Sequence, residues 1–495
     1  MPRWVDRRRV WLLSGLLLLY VAGINGQWRH GPDTGEFATI GRNVAEGQGF
    51  TYPTGTSDKA NPGLPYLIAA NVWLFGPERM WPVVVLMTMA ALLILGLTYE
   101  LFRLHESRAA GVIVAVLLGI TATFYRNTLE VLTDVPFMLG LMLFLVGHER
   151  LENRVGTRWS GWILLGVGFM VMALFRFVAI VVLAAFLLTM AGKAVRNRDV
   201  RPLVVLVVVV AAFFVLRFLD PRTADSQRFL SDENLVIKKL YHELPTTLDL
   251  ALNKNVPRLL SEVCPEALFG NELLLDVIGG TVTVIALAFG ISLIRRRPLW
   301  GLIVILFLIQ WILFLPDIRY FLPILPLLAY AWWKGSRWIM GALPGRWATV
   351  AATTMLVLWV GMNLPRTTGF VVQQRSVPFV EHYAHGTYVG VIDMARAMVG
   401  VTEPEAIILA DWRWATTLCF YSQRTVDWGP LFKKQGPAVP LYAVEPLNVL
   451  EREWLAEHQW QWGPALVEIL RGRSRAPLVL RLLQPPPVDM VGAEG

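Results

Sequence analysis

Two carboxylates in a turn-rich segment are the first residues of this sequence that suggest chemistry. Asp33 and Glu36 stand in GPDTGEFATIGRNVAEGQGF, shortly after the first apolar run. A carboxylate on a loop shaped by Gly and Pro can act as a general base toward a hydroxyl or an amine. The same spacing fits a capping box, in which Asp33 begins a short helix and Glu36 occupies its third position. Both interpretations can hold for Glu36.

A second acidic position precedes a later apolar run. Asp134 lies in LTDVPF, two residues before a proline. A helix cap and a functional carboxylate fit this pattern equally well. Glu130, one helical turn earlier, is predicted to be solvated.

Two arginines lie within or beside long apolar runs. Arg176 interrupts the apolar stretch ALFRFVAIV, and Arg319 precedes another apolar run in PDIRYFLPILP. A buried cation in a membrane segment usually has a function, although a long side chain can also snorkel to the interface. The donors of a guanidinium match phosphate oxygens, so both residues are candidate phosphate ligands.

The elements that must position these residues are membrane helices. Of the 495 residues, 55% are hydrophobic, and the mean hydropathy is +0.50. Eleven apolar runs approach the roughly 20 residues that a spanning helix needs. The runs are 10–26, 80–102, 109–125, 135–148, 160–175, 177–192, 202–219, 274–294, 298–315, 320–333 and 347–363. A twelfth run, 64–76, is too short to span and suits an interfacial or re-entrant helix.

Basic residues predict the orientation of these spans. Every second connection is rich in Lys or Arg, which marks the cytoplasmic side. The basic positions are Arg3, Arg7, Arg8, Arg9, Arg103, Arg108, Arg150, Arg154, Arg158, Lys193, Arg196, Arg198, Arg201, Arg295, Arg296, Arg297, Lys334, Arg337 and Arg346. The N-terminus also resembles a signal peptide, but the topology needs it as a retained first span. We therefore expect a multi-pass protein of a prokaryotic inner membrane with a cytoplasmic N-terminus. The surplus of basic residues reflects this topology, and no nucleic-acid partner is expected.

The chain divides into two predicted domains. Residues 1–364 form a transmembrane module with external loops at 27–79 and 220–273. Residues 365–495 form a small external α/β domain, with strands at AIILAD, TLCFYS and APLVLRLLQ and helices at 446–458 and 463–471. The candidate carboxylates and arginines then all lie on the external face.

Several common sites have no matching pattern in this sequence. It contains no Walker loop, no Gly-x-Gly-x-x-Gly after a strand and no Asp-x-Asp pair. A binding site for a nucleotide or a nucleotide-linked sugar is therefore not indicated. His382 and His385 have helical spacing but no third ligand in a known pattern, and we predict no metal site from them. Cys264 and Cys419 are both predicted to be external, and their pairing cannot be read from the sequence.

Five segments, in order along the chain, resemble the GT-C glycosyltransferases, membrane enzymes related to protein O-mannosyltransferases and to the lipid A aminoarabinose transferase. The segments are PDTGEFATIGRNVAEGQGF, NPGLPYLIAANVWLFG, LTDVPF, RYFLPILPLL and FYSQRTV. Many relatives have Lys-Pro-Pro before the second segment, whereas Lys59 here stands three residues before the first proline. Many relatives also have two adjacent acids in the first loop, whereas Asp33 and Glu36 are three residues apart.

The resemblance implies a fold and a reaction. The fold would be a polytopic α-helical GT-C module of about eleven transmembrane helices with external juxtamembrane helices. The enzyme would be an inverting hexosyl- or pentosyltransferase that uses a polyprenyl-phosphate sugar and acts on a protein, lipid or glycan acceptor. Asp33 is favoured as the base, with Glu36 as the alternative, and Asp134 would orient the acceptor or a positive group. The donor phosphate would be held by Arg319, Arg176 and Lys59, and the substrate by Arg42, Asn43 and Tyr320. A divalent metal is left open.

Three other classes of membrane protein remain open from the residues alone, one of which is a non-catalytic membrane scaffold with a sensor tail. A flippase or transporter of lipid-linked sugars would also gather basic groups, but it would place charges at mid-membrane depth. An O-antigen ligase or polymerase would also use a lipid-linked sugar. The glycosyltransferase interpretation requires that Asp33, Asp134 and at least one of Arg319 and Arg176 face one external cavity.

Overall fold

The structure of the chain is a computed structural model, and part of the chain is described in it. The described residues are 3–25, 28–29, 32–52, 61–155, 157–197, 211, 244–259, 280–314, 318–341, 346–376, 390–427, 440–447, 452–453, 455–456, 460–469 and 477–484. Lys59, Cys264, His382 and His385 lie outside these residues, as do most of the predicted span 202–219 and of the predicted external loop 220–273.

The chain folds into two compact units. The helical unit comprises Met1–Gly26, Asn61–Gly63 and Val84–Arg375, and the sheet unit comprises Gln27–Ala60, Leu64–Val83 and Ser376–Gly495. The sheet unit thus combines the predicted C-terminal domain with most of the loop 27–79. The sequence analysis divides the chain at residue 364 and assigns that loop to the membrane module. This functional division stays a prediction.

Helices coincide with the predicted apolar runs wherever the structure describes them. The helices up to residue 197 are α1 (Arg3–Ala22), α2 (Pro32–Ala45), α3 (Gly63–Phe75), α4 (Trp81–His105), α5 (Arg108–Ile120), α6 (Ala122–Thr128), α7 (Asp134–Asn153), α8 (Arg158–Phe175) and α9 (Ala179–Asn197). Later come α10 (Leu244–Leu250), a π-helical turn (Ala251–Asn255), α11 (Val256–Arg258), α12 (Gly280–Arg296), α13 (Pro298–Phe314), a 3₁₀ segment (Ile318–Ile324), α14 (Leu325–Gly341) and α15 (Arg346–Ser376).

Length and composition identify membrane-spanning candidates among the described helices. The segments 81–105 and 179–196 are long and apolar enough to cross a bilayer, and the bent pair α5–α6 adds a third if it counts as one span. Four shorter apolar helical segments, 10–22, 63–75, 159–175 and 298–313, do not reach that length. The number of eleven spans therefore stays a prediction.

The predicted single run 109–125 is broken in the structure. Helices α5 and α6 meet at 68° around Thr121, whose backbone is extended. Side chains of α15 satisfy the main-chain groups on both sides of the break: the amide of Ala122 donates to Asn363 Oδ1 over 3.0 Å, and the hydroxyl of Thr367 donates to the carbonyl of Ile120 over 2.8 Å. Because both partners come from residues more than 200 positions away, the apolar pattern alone does not reveal the bend.

Helices α7 and α8 form an antiparallel hairpin with a glycine seam. Gly140 and Gly147 on α7 are seven residues apart, and so are Gly161 and Gly168 on α8. A Cβ atom added at Gly140 would lie 2.7 Å from the carbonyl oxygen of Gly168, and one added at Gly168 would lie 2.4 Å from the amide nitrogen of Phe144. Small residues let the backbones of membrane helices approach this closely. We call these four glycines the glycine seam.

Ion pairs join the helix ends that the sequence places on the cytoplasmic side. Glu149 on α7 is fully buried and lies 2.8 Å from the guanidinium of Arg297, which leads into α13. Glu106, just after α4, pairs with Lys334 at 2.7 Å and with Arg337 at 3.1 Å, both on α14. Much of the basic charge that predicted the topology is therefore neutralised by glutamates within the helical unit.

The sheet unit is built on five strands. They are β1 (Ile407–Ala410), β2 (Thr425–Asp427), β3 (Leu441–Glu445), β4 (Gln461–Ile469) and β5 (Leu478–Gln484), in the order β2-β1-β3-β5-β4. The pairs of β1 with β2 and β3 are parallel, and those of β5 with β3 and β4 are antiparallel. Two helices accompany them, α16 (Val391–Val401) and α17 (Trp412–Ser422).

Two sequence-based assignments in this unit are wrong. TLCFYS belongs to helix α17, where Asp411 caps the N-terminus by accepting a hydrogen bond from the amide of Arg413 over 2.9 Å. The predicted helix 463–471 overlaps strand β4, which pairs with β5 at the edge of the sheet. The predicted strands at AIILAD and APLVLRLLQ correspond to β1 and β5.

The segment that carries Asp33 is integrated into the sheet unit. Ile40 of α2 and Tyr52 belong to the apolar core formed by α16, α17 and one face of the sheet. A Cβ atom added at Gly35 would lie 2.4 Å from Thr416 Oγ1 of α17, and one added at Gly41 would lie 2.8 Å from the carbonyl oxygen of Pro65 on α3. Helix α2 is therefore packed closely between α17 and α3.

Candidate active site

Asp134 and the two arginines proposed from the sequence are brought together around one aromatic ring of the helical unit. The carboxylate of Asp134 forms an ion pair and a hydrogen bond with the guanidinium of Arg176. The Arg176 guanidinium carbon lies 4.6 Å from the centre of the Tyr320 ring, and that of Arg319 lies 5.4 Å from the same centre. We call these four residues the Tyr320 cluster.

The position of Asp134 excludes the simplest structural interpretation. Its carboxylate belongs to the first turn of α7, and the cap position is Thr133, whose side chain makes no capping hydrogen bond. Only 2% of Asp134 is exposed. A buried carboxylate is stable when it is paired, and Arg176 supplies the positive partner. The carboxylate of Asp134 is therefore paired with Arg176 and does not occupy the N-cap position of α7.

Arg176 is held by the end of a helix and by an aromatic face. It follows α8 directly, in extended conformation, and its amide donates to the carbonyl of Met172 over 3.0 Å. A guanidinium over an aromatic ring gains a cation–π interaction. Two guanidiniums on one ring concentrate positive charge at a single place, and this arrangement suits an anion such as a phosphate.

Glu130 differs from its prediction. It is buried, with 8% exposure, and its carboxylate lies 3.6 Å from the guanidinium of Arg126 one turn earlier. The sequence predicted a solvated side chain. In the structure Glu130 is buried within the helical unit, two residues after the end of α6, and the prediction is wrong.

Asp33 and Glu36 both lie on α2 of the sheet unit. Helix α2 begins at Pro32, so Asp33 stands inside its first turn and not at its N-cap as the capping box predicted. The positive end of the helix dipole is favourable for a carboxylate at this position. Both acids are partly exposed. Their assignment as base stays a prediction.

Arg42 and Asn43 have contacts inside the sheet unit. The guanidinium of Arg42 donates to the carbonyl of Phe420 over 2.6 Å and pairs with Glu46 at 2.7 Å. The amide of Asn43 donates to the carbonyl of Thr51 over 2.9 Å. These contacts attach α2 to α17 and to its own following turn. A role in binding substrate, which the resemblance implied, stays a prediction for both residues.

Sequence reasoning did not identify the glycine seam, the feature that positions Asp134 relative to Arg176. Asp134 begins α7 and Arg176 follows α8, so the antiparallel packing of these helices decides whether the two side chains meet. The signal was available in the sequence as two pairs of glycines, each pair seven residues apart. Among the described residues, no three His, Cys, Asp or Glu side chains gather as metal ligands would.

Comparisons with known proteins agree with the fold predicted from the sequence. Residues 58–218, about a third of the chain, match the family model of dolichyl-phosphate-mannose-protein mannosyltransferase. No curated protein matches the sequence. The crystal structure of ArnT from Cupriavidus metallidurans bound to undecaprenyl phosphate is similar with a TM-score of 0.58 at 15% identity, over 95% of this chain and 97% of that chain.

A second structure extends the similarity. The archaeal oligosaccharyltransferase AglB from Archaeoglobus fulgidus, in complex with an inhibitory peptide and a dolichol-phosphate, is similar with a TM-score of 0.52 at 14% identity, over 86% of this chain and 65% of that chain. The GT-C fold predicted from the sequence is thereby confirmed, and the predicted number of about eleven spanning helices stays a prediction.

Proposed function

We propose that this chain is an inverting glycosyltransferase of the membrane, which moves a sugar from a polyprenyl-phosphate donor to a hydroxyl or amine of an acceptor at the external face. The Tyr320 cluster is the observation that carries the proposal, because it places two guanidiniums on one ring in a chain with an ArnT-like fold. The ArnT structure named above holds undecaprenyl phosphate, and the AglB structure holds a dolichol-phosphate. A lipid phosphate is therefore the anion that we assign to this cluster.

The reaction is a single displacement at the anomeric carbon. The acceptor oxygen or nitrogen forms a bond to this carbon, while the bond from the carbon to the phosphate oxygen breaks and leaves its electron pair on that oxygen. The proton of the acceptor passes to the Asp33 carboxylate as general base, with Glu36 as the alternative. A positioned base contributes about 100- to 10,000-fold to a rate.

Arg176 and Arg319 stabilise the leaving phosphate in this proposal. Negative charge develops on the bridging oxygen as its bond to carbon breaks, and cations already in place stabilise that charge without reorganisation. Lys59 is a further phosphate ligand that the resemblance implies. The ring of Tyr320 makes a cation–π contact with both arginines. The acceptor is a protein, a lipid or a glycan, and the enzyme works among the lipids of the inner membrane with its sheet unit external.

One experiment tests this function directly. The purified full chain in lipid nanodiscs is incubated with undecaprenyl-phosphate esters of mannose, glucose, arabinose and aminoarabinose together with a panel of peptide, lipid and glycan acceptors, and the release of undecaprenyl phosphate is measured. We expect acceptor-dependent consumption of at least one donor that is lost in the Arg319→Gln variant. Donors that all stay intact with every acceptor would contradict the proposal, and movement of intact donors between the leaflets of proteoliposomes would favour a transporter.

A further inference from the structure

Helix α15 contacts the bend between α5 and α6 with one of its faces. Trp359, Asn363 and Thr367 follow each other at intervals of four residues, so they share a face of the helix, and all three are fully buried. Asn363 and Thr367 make the two hydrogen bonds to the bend described above. The indole of Trp359 adds a third, which it donates to the carbonyl of Leu117 over 3.1 Å. We call these three residues the α15 clamp.

Helix α1 holds the same bend from a second direction. The hydroxyl of Tyr20 donates to the carbonyl of Gly119 over 3.1 Å, and the hydroxyl of Tyr125 on α6 donates to the carbonyl of Leu19 over 3.4 Å. In transporters, the main-chain groups of a broken membrane helix bind the substrate or the coupling ion. Here such groups on both sides of the break bind side chains of other helices, which indicates a bend fixed by packing.

The bend decides where α6 lies. Its axis departs from that of α5 by 68°, and α6 contacts both the 3₁₀ segment that carries Tyr320 and Arg319 and the helix α7 that begins at Asp134. Five residues, 129–133, connect α6 to α7. The position of α6 therefore constrains the two elements from which the Tyr320 cluster receives three of its four residues.

We propose that the α15 clamp positions the Tyr320 cluster, with Asn363 and Thr367 as positioning residues that act through α6. This inference rests on the proposed function and specifies what holds its phosphate site in place. A site that stabilises charge without reorganisation needs side chains at fixed separations. When a bond of the clamp is lost, α6 moves more freely against the 3₁₀ segment, and the phosphate is bound more weakly. Neither Asn363 nor Thr367 touches the donor.

Two adjacent threonines of α15 provide a matched test. Thr367→Val removes the hydroxyl that binds Ile120, whereas Thr368→Val removes an exposed hydroxyl that binds carbonyls of its own helix. The measured quantity is the Kd of undecaprenyl monophosphate for the full chain in nanodiscs, well below the Tm of each variant. We expect Thr367→Val to raise this Kd about tenfold, the upper range for one hydrogen bond, and Thr368→Val to leave it unchanged. Thr367→Ser keeps the hydroxyl and should bind as the wild type does.

A third variant separates positioning from a general loss of stability. Thr88 on α4 is also buried, and its hydroxyl donates to the carbonyl of Val84 over 3.0 Å. Thr88→Val should lower the Tm without changing the Kd. Hydrogen exchange measured by mass spectrometry gives an independent result. Exchange in peptides covering 121–134 and 318–324 should be faster in Thr367→Val and unchanged in Thr88→Val and Thr368→Val.

A rescue experiment tests Asn363, and it also decides the matter if Thr367→Val does not fold. Asn363→Ala leaves the buried amide of Ala122 without the acceptor at 3.0 Å, so the Kd should rise. Ala122→Pro removes that amide at the first position of α6, where proline is favoured, and the extended backbone of Thr121 suits a residue before proline. The double variant should therefore bind more tightly than Asn363→Ala alone.

The outcomes separate the inference from the proposed function. The positioning role is overturned by an unchanged Kd and unchanged exchange in a folded Thr367→Val protein, by equal effects of Thr367→Val and Thr88→Val, or by a double variant without rescue. A wild-type chain that does not bind undecaprenyl monophosphate would instead overturn the proposed function, and the exchange of 121–134 and 318–324 would still decide whether the clamp holds these segments.

Discussion

Asp134 and Arg176 form an ion pair across 42 residues of sequence, because each stands at the same end of the antiparallel hairpin α7–α8. The glycine seam fixes how the two helices face each other along their length. A small displacement of one helix along the other would separate the carboxylate from the guanidinium. The polar pair therefore depends on apolar packing that lies up to several turns away.

The first prediction concerns the glycine seam. Gly168→Ala would place a Cβ atom 2.4 Å from the amide nitrogen of Phe144, so the helices must separate. Overpacking of this kind usually costs about 1–3 kcal/mol. We expect a lower Tm and a strongly reduced rate of donor consumption. Gly166→Ala on the same helix is the matched control, since a Cβ atom there meets nothing within 4 Å. Equal behaviour of the two variants would show that the seam does not position the ion pair.

The second prediction concerns the general base. Asp33→Asn keeps the size of the side chain but removes its ability to accept a proton at neutral pH. We expect the turnover of the lipid-linked sugar to fall by about 100-fold or more, with an unchanged Tm. Glu36→Gln, three residues later on α2, should retain most of the activity. The reverse pattern would identify Glu36 as the base, and near-normal turnover in both variants would contradict a base on α2.

The third prediction concerns the buried ion pair at the predicted cytoplasmic end of α7. Arg297→Gln leaves the fully buried Glu149 without its cationic partner at 2.8 Å, and breaking such a pair costs about 3–5 kcal/mol. We therefore expect a clear loss of Tm. Glu78→Gln is the comparison, because the pair of Glu78 with Arg396 is exposed, with 59% and 57% of the side chains accessible. An exposed pair contributes about 0–1 kcal/mol, so its Tm should hardly change. Similar losses in both variants would contradict the difference in burial.

The fourth prediction uses Cys419 as a reporter of the sheet unit. Its thiol is buried in the core, it forms no disulfide bond, and burial raises its pKa to about 12. In a Cys264→Ala background, iodoacetamide at pH 8 should modify Cys419 very slowly in the native protein and rapidly in denaturant. Fast modification of the native protein would show that this core opens readily.

The same thiol gives a pH dependence of known sign. Its pKa is higher in the folded than in the unfolded state, so its contribution to stability is complete below the unfolded value of about 8.5 and is lost as pH rises toward the folded value. The free energy of unfolding of the sheet unit should therefore decrease between about pH 9 and pH 12. Cys419→Ala should make this decrease smaller. An identical alkaline profile in the variant would contradict the assignment.

Sequence reasoning predicted the helices better than their interruptions. Long apolar runs predict a membrane-spanning helix directly, as α4 and α9 illustrate. The bend at Thr121 depends on Asn363 and Thr367, which supply hydrogen bonds from a distant helix. A local pattern contains no information about such partners.

The errors in the sheet unit have a related cause. TLCFYS contains residues that favour strands, but its apolar side chains pack as one face of a helix against the core, with Leu418 and Cys419 buried. Strand β4 is an edge strand whose pairing with β5 is a tertiary contact. In both places tertiary packing outweighs local propensity.

The sequence predicted which residues are candidates for the site but not which of them contact each other. Asp134, Arg176 and Arg319 could be selected because charged groups beside apolar runs are costly and therefore informative. Their convergence on Tyr320 follows from the packing of α7, α8 and the 3₁₀ segment that carries Tyr320, which no local pattern encodes. The prediction that Glu130 is solvated was wrong for the same reason.

The glycine seam also has a consequence for protein engineering. Since the glycines of each helix lie directly against the backbone of the other, α7 and α8 are interchangeable between related proteins only as a matched pair. A chimera that imports one of them alone would set foreign Cβ atoms against a native backbone, whereas the import of both would carry the distance between carboxylate and guanidinium along with it.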